Sequence, residues 1–147
     1  DLIVTMLGEP QRVTSFLRQT YPERQTVDNG VAVLEYPETL VTVRSAAREV
    51  EGEKRRHLVI SGDKATIEIR PLEEPVTVLK LTLKEDCKPY HKGTQTLDFP
   101  KMGGRYDNQL AEFARVVRGE IPNPYSLEHE RLVQKCVLLA SGVALDG

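Results

Sequence analysis

The chain has 147 residues, a size at which one domain buries roughly 70% of its unfolded surface without disulfide or metal staples. Its 20 Lys and Arg stand against 22 Asp and Glu, a net charge of −2, which speaks against a nucleic-acid or anionic-membrane surface as the main partner. No apolar run approaches the roughly 20 residues that span a bilayer, and the lack of Trp argues against an aromatic platform for sugars or bases.

The first stretch, DLIVTMLGEP, reads as an apolar helix turn through Leu2, Ile3, Val4, Met6 and Leu7 that stops at Gly8, with Pro10 beyond it. It lacks the basic n-region and the length of a signal peptide. No start signal precedes it, so the helix is expected to be running already at residue 1, with the protein's beginning elsewhere. Cys87 and Cys136 lie far apart, the second inside a helical pattern. A reduced, cytoplasmic chain is the expectation, and their pairing stays open at this point.

After Pro10 the pattern turns from helical to β. RVTSFLRQ (12–19) is a predicted strand. VAVLEY (31–36), after the turn signal Asp28-Asn29-Gly30, and LVTVRSA (40–46) are spaced to pair as a hairpin. HLVIS (57–61) and ATIEIRP (65–71) flank Gly62-Asp63-Lys64 as a second hairpin. VTVLKLTLK (76–84) alternates with period two, Leu79, Leu81 and Leu83 on one face and Lys80, Thr82 and Lys84 on the other. Residues 85–104 look irregular, which in a compact domain marks a functional or disordered loop.

The period then changes to 3.6. Tyr106, Leu110, Phe113, Ala114 and Val117 form one stripe that ends at Gly119 and Pro122. A second helix is expected from the N-cap Ser126, burying Leu132, Cys136, Leu139, Ala140 and Val143. Strands first and helices last predict an α+β fold: an open, mostly antiparallel sheet of about six strands with helices packed on one face, in a single domain spanning 1–147. VAVLEY is apolar on both faces, Val31 and Val33 on one and Ala32, Leu34 and Tyr36 on the other, so something besides the helices must cover the second face.

Chemical signals are sparse. Gly103-Gly104 does not follow a βαβ pattern and reads as the start of a helix rather than a pyrophosphate turn. His57, His91 and His129 have no metal-ligand spacing, so no metal site is expected. His57 reads as a strand start and His129 as part of a solvated first helical turn. The run Lys54-Arg55-Arg56 follows Glu49, Glu51 and Glu53 and reads as a charge-balanced hairpin tip. No catalytic constellation appears. The candidates for binding substrate are His91, in the irregular segment beside Tyr90 and Lys92, and Tyr106, at the start of the helical stripe.

Taken in order, DLIVTMLGEP, VDNGVAVLEYPETLVTVRSA, HLVISGDKATIEI and YDNQLAEFARVVRGEIPNP resemble the C-terminal α/β domain of the glucose–fructose oxidoreductase / inositol dehydrogenase (Gfo/Idh/MocA) family. Asp1 through Pro10 resembles the family's D-L-x-x-x-L-G-x-P, Ile60 through Ile67 its I-x-G-x-x-G/A-x-I, and Tyr106 through Phe113 its Y-x-x-Q-L-x-x-F. The resemblance implies an NAD(P)-binding Rossmann domain ahead of Asp1. It also implies that the catalytic Asp and His lie just before Asp1 and the catalytic Lys in that Rossmann domain, all outside this chain. It implies no cofactor-binding residue here, with NAD or NADP used by the full-length parent. It implies further that Tyr106 hydrogen-bonds substrate and that the open sheet face packs against another subunit, giving a homo-oligomer. The function so implied is the substrate-side and oligomerisation part of hydride transfer on a sugar, polyol or related hydroxyl compound. The competing reading is a free-standing, non-catalytic α+β module that binds a protein partner through its open sheet face.

Overall fold

Leu2–Leu7 form helix α1, and Gly8 ends it in the left-handed region at φ 73°, its amide donating to the Val4 carbonyl at 2.8 Å. A residue without Cβ adopts that conformation at no steric cost, which is why the helix stops there. The structure, a computed structural model, describes residues 1–72, 78–99, 104 and 106–144. These form two compact units, one of 1–49 with 115–147 and one of 50–114.

In the first unit Arg12–Arg18 (β1), Asn29–Glu35 (β2) and Leu40–Ala46 (β3) make a three-stranded antiparallel sheet in chain order. The expected hairpin of 31–36 with 40–46 is present, Leu34 pairing with Val41 and Ala32 with Val43. Ala32, Leu34 and Tyr36 are the buried core of this unit, packed with Ile3, Val13, Val41 and Ala140. Burying one large apolar side chain contributes about 1.5–3 kcal/mol, so this face with its two helices stabilises the unit. The opposite face carries Val31 and Val33 as expected. Beside them Phe16 and Leu40 are 60% and 69% exposed.

In the second unit a short helix, Gly52–Arg55 (α2), precedes Leu58–Ser61 (β4), Ala65–Ile69 (β5), Val78–Leu83 (β6) and Gly93–Asp98 (β7). These four strands form an antiparallel sheet in chain order. Residues 76 and 77 of the expected sixth strand lie outside the described residues. Leu58, Ile60, Ile67, Ile69, Leu79 and Leu81 fall on one face by register. Thr66, Glu68, Lys80 and Thr82 fall on the other.

The α+β class holds, and every pairing among the described strands is antiparallel. The strands are divided three and four between two sheets rather than joined in one of about six. The charged stretch from Glu49 to Arg56 contains the short helix α2, Gly52–Arg55, rather than a hairpin tip, and it lies between β3 and β4. The segment 85–104 also differs from expectation, because β7 lies within it. GTQTLD has a single large apolar residue, so its alternation had almost no amplitude to read.

Asp107–Val117 form α3 and Leu127–Ala140 form α4. The Ser126 Oγ accepts from the His129 amide at 3.1 Å, as an N-cap should. Cys136 is buried on α4, with Leu132, Leu139 and Ala140 half-buried, while Val143 lies beyond the helix and is 44% exposed. The α3 stripe is not covered: Leu110, Phe113 and Val117 are all more than 60% exposed. Periodicity identifies an apolar face but not whether a partner for it lies within the same chain.

Candidate functional site

The connection from α1 to β1, the first residues of β1 and α4 enclose a shallow cleft lined by Glu9, Pro10, Gln11, Arg12, Val13, Lys135, Cys136 and Leu139. Lys135 Nζ donates to Glu9 Oε1 at 2.7 Å, which raises the lysine pKa. Arg12 donates to Glu35 through Nε at 2.6 Å and Nη2 at 2.8 Å, a fork that holds the Glu35 carboxyl below its ordinary range. Both cations of the cleft therefore have carboxylate partners. Burial, and then the Glu9 charge, push the Cys136 thiol above its ordinary pKa. A buried neutral thiol is a poor nucleophile, so the cleft has the chemistry of packing rather than of catalysis.

A second polar assembly closes the loop between β1 and β2. Thr20 donates to Asp28 Oδ1 from its amide at 2.8 Å and from its hydroxyl at 2.9 Å, and the backbone bond is the main reason that the Asp28 pKa is lowered. The Arg48 guanidinium stacks 3.7 Å above the Tyr21 ring. These contacts fix loop shape.

Of the two candidate substrate residues, His91 follows a tight turn in which Cys87 and Tyr90 exchange backbone bonds at 3.0 and 2.8 Å. Gln95 Nε2 donates to the His91 carbonyl at 2.7 Å, and Lys92 donates its amide to Asp86 Oδ1 at 2.7 Å. The His91 side chain is exposed at this hairpin end. Tyr106 precedes α3 in a turn and is 56% exposed, its carbonyl accepting from the Leu110 amide at 2.9 Å. The start of α3 is fixed by Asp107, which accepts from the Gly104 amide at 2.7 Å while its own amide donates to the Gly104 carbonyl. Gly103 lies outside the described residues.

Sequence reasoning missed the long-range pairs. His129, expected in a solvated helical turn, meets Asp1 Oδ1 through Nε2 at 2.8 Å, with its side chain only 25% exposed. Nothing local signals a pair separated by 128 positions. Arg12 with Glu35 was accessible in principle, since the β1–β2 register sets them opposite one another. His57 precedes β4 as expected, its Nδ1 3.0 Å from the Arg55 carbonyl. Cys87 and Cys136 are both free thiols.

The described residues contain no parallel strand–helix–strand unit, and the antiparallel sheets do not fit a dinucleotide's pyrophosphate. Nor does any described helix have the length and apolarity to cross a membrane.

The family model described as the GFO/IDH/MocA C-terminal domain matches residues 1–68, so over that stretch the chain is similar to such a domain. The chain is similar in fold to three solved proteins assigned as oxidoreductases. With yvaA from Bacillus subtilis it shares 16% identity at a TM-score of 0.64, covering 97% of this chain and 48% of that one. With YPO2259 from Yersinia pestis the values are 16% and 0.60, over 98% and 46% of the two chains. With a protein from Klebsiella pneumoniae they are 16% and 0.62, over 97% and 47%. The chain thus spans about half the length of these structures. No curated protein matches it.

Proposed function

We propose that this chain is the substrate-side and oligomerisation domain of an NAD(P)-dependent oxidoreductase that acts on a sugar, polyol or related hydroxyl compound. The observation that carries this reading is the family match over residues 1–68, supported by a fold shared with about half of each of three oxidoreductases. In this reading the nucleotide belongs to a companion N-terminal Rossmann domain, because cofactor chemistry and substrate recognition are commonly divided between domains. Tyr106 and His91 are the residues of this chain assigned to substrate binding. The open face of the three-stranded sheet, with Phe16, Val31, Val33 and Leu40, is assigned to contact with a second copy. Two free thiols accord with a cytoplasmic parent.

Calorimetric titration with NADH and NADPH tests the assignment. The full-length parent should bind one of them, and this chain alone should bind neither. Micromolar binding by the isolated chain overturns the division of labour, and no binding by the parent overturns the NAD(P) reading. The exposed apolar residues Phe16 and Leu40 also favour a second reading, a module that binds a different protein through the same sheet face. An in-frame Rossmann sequence in the parent gene argues against that alternative.

A further inference from the structure

We draw no further inference here: the strongest candidate, the apolar face of the four-stranded sheet bearing Leu58, Ile60, Ile67, Ile69 and Leu79 around the buried Leu81, is half-buried apart from the exposed Ile60, and nothing in the structure shows what covers it.

Discussion

Tyr36 and Gly8 are joined at 3.2 Å, the phenol Oη donating to the Gly8 carbonyl where α1 stops. The same ring is buried beside Ala32 and Leu34, so one side chain completes the core of the first unit and fixes the end of its first helix. Tyr36→Phe keeps the ring and loses one hydrogen bond, for an expected loss of about 0.5–1.5 kcal/mol in urea unfolding. Tyr36→Ala removes the packing as well and should cost about 3–5 kcal/mol, as truncations of buried aromatic residues do. At Gly8 an added Cβ meets open space, so Gly8→Ala carries only the backbone penalty of φ 73° with ψ −149°, a conformation close to glycine's own, about 1–3 kcal/mol. Equal losses in the Phe and Ala variants of Tyr36 would contradict the packing role.

The two thiols should separate cleanly by reactivity. Cys87 is exposed and Cys136 is buried, with its pKa raised by burial and then by Glu9. A thiol-specific chromogenic reagent should modify one cysteine rapidly in the native chain and the second only on unfolding. The Cys87→Ser variant should lose the fast phase alone. Two fast phases in the native chain would mean that α4 does not shield Cys136.

Stability should fall in acid through identifiable carboxylates. The Asp28 pKa is lowered by the Thr20 amide, and that of Glu35 by the Arg12 hydrogen bonds, from ordinary values of 3.8 and 4.5. A lowered folded pKa means that the native state holds its proton less tightly than the unfolded chain does. The stabilisation is therefore present above those ordinary values and is lost as pH falls through the lowered ones. Denaturant midpoints from about pH 6 to about pH 3 should decline, with a shallower slope in Asp28→Asn. An unchanged slope in that variant would remove Asp28 from the account.

Much of this architecture was legible because each signal was local. Gly8 as a stop, Ser126 as a cap, and the alternation that divides Val31 and Val33 from Ala32 and Leu34 all act within a few residues. What escaped lacked amplitude or locality. The strand at Gly93–Asp98 has too few apolar residues to display its period, and the Asp1–His129 and Glu9–Lys135 pairs join opposite ends of the chain. The α3 stripe shows the converse, a strong periodic signal whose side chains are exposed. Tyr106 is a candidate through the family resemblance and His91 through its place in the irregular segment, and one stands before a helix while the other follows a tight turn.

The proposed subunit contact predicts a definite oligomeric behaviour. Phe16, Val31, Val33 and Leu40 share the face of the first sheet opposite its buried core, with the Arg12–Glu35 pair on the same face beside Leu40. Contiguous exposed apolar surface is uncommon on monomers. Light scattering at micromolar concentration should report a dimer or larger species, and Val33→Glu should convert it to monomer without loss of secondary structure. A monomeric parent, or an oligomer indifferent to that charge, would remove this face from the assembly.

Tyr106 is the residue on which the substrate reading of the chain depends most. It lies in phase with Leu110, Phe113 and Val117, so apolar packing of its ring is the competing role. It also stands immediately before α3, where a Tyr can bury its ring against a neighbour and still direct its hydroxyl towards a ligand. The two roles differ in what the hydroxyl contributes. If it hydrogen-bonds substrate, Tyr106→Phe in the full-length parent should lower kcat/KM by about 1–2 kcal/mol in transition-state terms. The urea midpoint should stay close to that of the parent. If the ring alone matters, the Phe variant keeps full activity and Tyr106→Ala loses stability instead. The last outcome would make Tyr106 a packing residue and withdraw the helix start from the substrate site.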